Sequence, residues 1–128
     1  MPQLTFVGIV FSGTGKGKRF VQLPWVKRQI EENLGFSPYG GTLNLRLSKA
    51  ETEKRRLLDV AEGVRVVPEQ RFYPGKLFLA EIDAQRCAVV LPIVPNYPVD
   101  ILEVIAPDCL RNKLGLADGS FVVTTVRF

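Results

Sequence analysis

Histidine is absent from all 128 residues. That excludes Ser-His-Asp triads, histidine-ligated metals and imidazole acid–base chemistry. Cysteine occurs only as Cys87 and Cys109, too few and too far apart for a disulfide framework or a zinc site. Cys87 lies in the apolar run CAVVL and reads as a buried thiol. No apolar run approaches the ~20 residues needed to span a bilayer. The N-terminal MPQLTFVGIVFSGTG has no basic region before its apolar patch and no small-residue cleavage site after it. A cytoplasmic chain with no membrane partner is the expectation.

What is present fits one globular domain over residues 1–128, since apolar residues make up 46% and charged residues 23%. The net charge of +4 suits an anionic partner, either nucleic acid or a phosphorylated small molecule, and equally suits plain solubility. There is no internal repeat or low-complexity tract. Strands are expected at 4–11, 20–23, 42–47, 64–67, 76–82, 86–91, 101–105 and 121–128, from β-branched and alternating patterns. Val26, Ile30 and Leu34 share one helical face, and Gly35 suits the left-handed residue that ends a helix. Ser48 with Glu51 three residues on predicts a capping box opening a helix to about Asp59. A short helix is expected over 109–114, and a tight hairpin around Asp83-Ala84-Gln85. Many short strands with Gly/Pro punctuation point to a mainly β fold, a small β-barrel with one or two helical insertions.

Three segments could carry chemistry. The first, Ser12 to Arg19, reads as a glycine-rich loop. Glycines at alternating positions would let backbone N–H groups converge on an anion, with Lys16, Lys18 and Arg19 adding charge. It is not a Walker A loop: Gly13 and Gly17 enclose three residues rather than four, and Arg19 rather than Ser or Thr follows Lys18. A phosphate cradle and a basic hairpin loop both remain open. The second is TLNLRL, in which Leu43, Leu45 and Leu47 face one way and Thr42, Asn44 and Arg46 the other. The polar face is either wet or lines a cavity, where two neutral oxygens would suit Mg²⁺ arriving with nucleotide phosphates. The third is ILEVIAPDCLR, where Glu103 interrupts an apolar strand and needs a partner if buried.

Taken together and in order, GIVFSGTGKGKRFVQLP (8–24), LGFSPYGGTLNLRL (34–47), AVVLP (88–92), ILEVIAPDCLR (101–111) and LGLADGS (114–120) resemble the archaeal-type CTP-dependent riboflavin kinases. The resemblance implies a six-stranded cradle-loop barrel and transfer of the γ-phosphoryl group of CTP to the 5′-hydroxyl of riboflavin, giving FMN and CDP. Some relatives carry an N-terminal winged-helix domain, which this chain is expected to lack. Carried over, Thr14, Gly15, Lys16, Gly17, Lys18 and Arg19 would wrap CTP, and Asp108, Cys109, Leu110 and Arg111 would help hold it. Thr42 and Asn44 would coordinate Mg²⁺, and Glu103 would contact the flavin. Relatives often have Thr or Ser and His where this chain reads Pro95-Asn96-Tyr97-Pro98. The hydroxyl near the flavin is therefore expected to be lost, with Pro95 at the flavin side. Lys16 also replaces an acidic residue found in some members. No general base is evident, and a monomer is favoured. Two other classes of function remain: a flavin or cytidine-nucleotide binder without turnover, and a DNA-binding cradle-loop barrel.

Overall fold

A computed structural model of the chain describes residues 2–13, 16–69 and 71–128. Seven strands run β1 (Gln3–Phe11), β2 (Leu43–Leu47), β3 (Val64–Val66), β4 (Gly75–Ile82), β5 (Gln85–Pro92), β6 (Ile101–Ile105) and β7 (Phe121–Arg127). Between them lie helices α1 (Lys16–Gln22), α2 (Pro24–Leu34), α3 (Lys49–Val60) and α4 (Leu110–Leu114). All the strand pairings are antiparallel, in the order β4-β5-β6-β2-β1-β7. The ring closes where Ala80 and Glu81 of β4 meet Val126 and Thr125 of β7. This is the expected six-stranded barrel. The seventh strand, β3, pairs with the first half of β4 outside the ring.

Alternation within the strands builds the core. Phe6 and Val10 of β1, Leu43, Leu45 and Leu47 of β2, Val89 of β5, Leu102 and Val104 of β6, and Val122 and Val126 of β7 fill the interior. A second apolar layer lies outside the ring. There Val21, Trp25, Val26 and Ile30 of α1 and α2 cover Leu77, Val90 and Ile105. Local signals set several boundaries as the sequence suggested. Gly35 ends α2 at φ 76°, in the left-handed region. The Ser48 hydroxyl accepts the Glu51 N–H at 3.3 Å and caps α3. Asp83 and Ala84, at φ 47° and 63°, form the two-residue turn between β4 and β5.

One expectation fails in the barrel's first connection. Residues 16–22 are helical, so the glycine-rich segment is not a loop through Arg19, and 20–23 is not a strand. Phe20 and Val21 are both buried although adjacent. A strand sends neighbouring side chains to opposite faces, whereas a helix can turn both toward one layer. Burial of that pair with Trp25 and Val26 therefore overrides the low helix propensity of Gly17. The helices number four among the described residues: α2, α3 and α4 are the three expected, and α1 is the addition. Among those residues, no helix is long and apolar enough to cross a membrane.

Removal of the α3 cap by Ser48→Ala is expected to cost about 1 kcal/mol. Urea denaturation would show this as a lower midpoint with the same slope. An unchanged midpoint would mean that packing alone sets the start of α3.

Candidate active site

Glu103 is the polar residue around which the site is organised. It lies between Leu102 and Val104 in β6, is only 5% exposed, and points away from the barrel interior. Strand register places Asn44 of β2 on one side of it and Val90 of β5 on the other. Both carboxylate oxygens are used. The Thr42 hydroxyl donates to Oε2 at 3.0 Å, and the Tyr97 hydroxyl donates to Oε1. Burial, followed by the neighbouring Glu103 charge, raises the Tyr97 pKa far above that of an ordinary phenol. Tyr97 therefore stays protonated and serves as a donor at working pH.

Thr42 and Asn44 are two residues apart and face the same side of β2, opposite the buried leucines. Asn44 is pinned by a close approach of the backbone. A Cβ built on Gly13 would sit 2.6 Å from the Asn44 Cγ, so any side chain there would displace the Asn44 amide from this position. The segment that enters the glycine stretch is anchored just before this point. The Ser12 hydroxyl donates to Asp118 Oδ2 at 3.0 Å, and Arg111 Nη2 donates to Asp118 Oδ1 at 2.6 Å. Arg111 also reaches the Phe11 carbonyl at 3.3 Å. The hydrogen bonds from Arg111 and Ser12 hold the Asp118 carboxyl below the usual carboxylate range.

Two cavities flank Glu103. One, of about 170 Å³, is lined by Tyr39, Thr42 and the run Asp108, Cys109, Leu110 and Arg111. The Tyr39 N–H donates to the Ala106 carbonyl at 2.7 Å, tying the 35–42 connection to the end of β6. The other, of about 320 Å³, lies between α3 and the 93–99 loop, with Arg55, Lys76, Leu91, Pro92 and Tyr97 among its walls. Strands β5 and β6 are antiparallel with Val90 opposite Glu103, so the cavities fall on either side of Glu103 along the sheet. Thr42 lines one and Tyr97 the other, and both bond the same carboxylate.

The site residues expected from sequence are brought together unequally. Thr42, Asn44 and Glu103 form one group, and Asp108 to Arg111 share a cavity with Thr42. Arg111 is already committed to Asp118 and Phe11. Thr14 and Gly15 lie outside the described residues, as does the Lys16 side chain. Gly17 belongs to α1, from which Lys18 and Arg19 are exposed. Pro95 is exposed and lines neither cavity, whereas Tyr97 of the same loop reaches Glu103. The loop thus places a hydroxyl, that of Tyr97, on Glu103. The only signal in the sequence that could have found it is a lone aromatic hydroxyl between Asn96 and Pro98, in a loop that the resemblance puts near the flavin.

Fold and site define a class: a closed antiparallel barrel with two cavities joined by one buried carboxylate. Comparison with known proteins narrows it. The family model described as "CTP-dep_RFKase: Domain of unknown function DUF120" matches residues 10–126. The chain is 45% identical over 123 residues to a riboflavin kinase of Archaeoglobus fulgidus, covering 93% of this chain and 53% of that protein. It is 41% identical over 128 residues to a riboflavin kinase of Pyrobaculum arsenaticum, covering 96% and 60% respectively. The corresponding figures for a riboflavin kinase of Methanosarcina acetivorans are 36% over 128 residues, covering 97% and 54%. The chain belongs to the CTP-dependent riboflavin kinase family. It spans little more than half the length of these curated relatives.

The Asp118 anchor has a defined pH dependence. Its folded-state pKa is depressed, so its stabilisation is present above the ordinary aspartate value of about 4 and is lost as pH falls through the folded value. Denaturation curves of the parent chain and Asp118→Asn should separate at neutral pH, the parent being more stable, and converge in acid. Parallel curves across the whole range would remove the anchor.

Proposed function

We propose that this chain is the catalytic barrel of a riboflavin kinase, transferring the γ-phosphoryl group of CTP to the 5′-hydroxyl of riboflavin to give FMN and CDP. Family membership supports the reaction class. One observation carries the assignment of the site: a single buried carboxylate, Glu103, hydrogen-bonded to one residue from each of two cavities. A two-substrate transfer needs that arrangement, because the donor and acceptor must be held next to each other with little freedom.

In this reading the nucleotide takes the cavity lined by Asp108 to Arg111, with the glycine segment from Thr14 to Arg19 over its phosphates. Riboflavin takes the cavity walled by Leu91, Pro92 and Tyr97, its ribityl chain directed toward Glu103. Thr42 and Asn44 are the residues suited to Mg²⁺. Among the described residues no group of three or more Asp, Glu, Cys or His side chains could form a closed metal cage. Two neutral oxygens beside one carboxylate fit a hard cation that keeps waters and shares substrate phosphate oxygens. When bound, such an ion would neutralise charge on the phosphates.

The chain's own residues do the rest by positioning. Gly13 leaves room for the Asn44 amide where a side chain would displace it, and Glu103 holds Thr42. The Ser12–Asp118–Arg111 contacts fix the point at which the glycine segment leaves β1. Phosphoryl transfer through a loose transition state depends mainly on such positioning and on charge stabilisation. No general base is assigned.

The test is FMN formation by this chain from riboflavin and Mg²⁺, with CTP and ATP supplied in parallel. FMN from CTP and little from ATP is expected. Asn44→Ala should then lower turnover by about a hundredfold or more while the thermal midpoint changes little. No FMN from either nucleotide with folded protein would overturn the kinase reading in favour of a binder without turnover. Normal turnover in Asn44→Ala would remove the metal assignment.

A further inference from the structure

The second cavity contains a buried cation that forms no ion pair among the described residues. Arg55 projects from α3 and is only 3% exposed. Its Nε is buried with no hydrogen-bond partner among the described residues, and none of the ion pairs among those residues includes it. Asp59, on the wall of the same cavity, attracts it most, Asp100 less, and neither comes within ion-pair distance; the Tyr97 ring centre is 5.8 Å from its guanidinium carbon. Desolvation is the largest influence on it and draws its pKa below the ordinary arginine value. Lys76, the cavity's other cation, is already engaged. Its ammonium donates to the carbonyls of Leu58, Asp59 and Ala61 and closes the C-terminal end of α3.

A buried guanidinium with its Nε left unsatisfied and no ion pair is costly, and replacing such a group by an apolar one is often neutral or stabilising. The surroundings of Arg55 indicate what would offset the cost. Leu91, Pro92, Ile93, Val94 and Val99 make the cavity largely apolar, and Ile93 and Val99 leave much of their surface uncovered at its edge. An apolar slot with one converging multi-donor head suits a flat, mostly apolar ligand that bears acceptors along one edge. A small hydrated anion would gain nothing from those walls.

We propose that Arg55 is a substrate-binding residue that reads the flavin ring, its guanidinium donating to the nitrogen and carbonyl acceptors on the pyrimidine edge of an isoalloxazine seated in the second cavity. The inference rests on the reading of that cavity as the flavin's. It adds a specificity element from α3, whose sequence gave no sign of a role in the site. The cation–π approach of the guanidinium to the Tyr97 ring links the ring-reading group to the Tyr97–Glu103 hydrogen bond at the reacting end.

The test uses lumiflavin, which carries the ring without the ribityl chain, together with riboflavin and CTP kinetics. Arg55→Met should weaken lumiflavin binding and raise the riboflavin KM by about tenfold or more. The KM for CTP should stay unchanged, and the thermal midpoint should stay the same or rise. Arg55→Lys, which keeps the charge but loses the planar fork, should fall between the two. It carries the test if the methionine variant does not fold. Inorganic phosphate should not compete with lumiflavin; competition would make the site an anion site instead. Unchanged lumiflavin affinity in Arg55→Met would overturn the inference, as would a joint rise in both KM values with a lowered midpoint. If the parent chain makes FMN and the variant keeps its riboflavin KM, this inference alone fails. If the parent makes none yet binds lumiflavin through Arg55, the kinase reading fails and this inference stands.

Discussion

The structure depends on how one carboxylate is kept in an apolar strand. Glu103 sits among Leu102, Val104 and Ile105, where an unpartnered charge would be far more costly than on the surface. Its two donors come from distant parts of the chain, Thr42 at the entrance to β2 and Tyr97 in the connection after β5. Meeting the needs of one side chain therefore fixes three things: the alignment of β2 on β6, the path of the 93–99 loop, and the polar seam between the cavities. A change in either donor leaves a buried oxygen short of a partner, so the seam is both a structural and a functional constraint.

The barrel provides the rigidity that this seam requires. Six strands close on themselves through the β4–β7 pairing, leaving no free edge at which β2 or β6 could slide. The polar parts of the proposed reaction are then attached where strands enter and leave the ring. Ser12 follows β1, Thr42 precedes β2, and Asp108 to Arg111 follow β6. Loops carried on a closed sheet can vary in sequence while their anchor points stay fixed. The 93–99 loop is one such attachment, and through Tyr97 it delivers a hydroxyl to Glu103.

Much of the fold was legible in the sequence because its signals are local. Alternating leucines marked β2, Ser48 and Glu51 marked the start of α3, and Gly35 marked the end of α2. The failure at 16–22 has the opposite cause. Glycine and lysine there suggested a loop, but burial of Phe20 and Val21 against strands far along the chain decided for helix. The site divides in the same way. Its polar strand face was visible as a pattern, yet neither spacing nor composition chose between a wet surface and a ligand face for Thr42 and Asn44. Resemblance supplied that choice. Arg55 was not legible, because it matters through a contact with Tyr97, far along the chain. Tyr97 lies only six residues from Glu103, but nothing in the pattern of the loop showed that its hydroxyl turns back to that carboxylate.

The central claim is that two different ligands occupy the two sides of Glu103 at the same time. Calorimetric titration of riboflavin into this chain, alone and after saturation with CDP and Mg²⁺, tests it most directly. The account predicts that one riboflavin binds per chain in both cases, forming a ternary complex. Loss of riboflavin binding once the nucleotide site is filled would mean that the ligands share one cavity, and would contradict it.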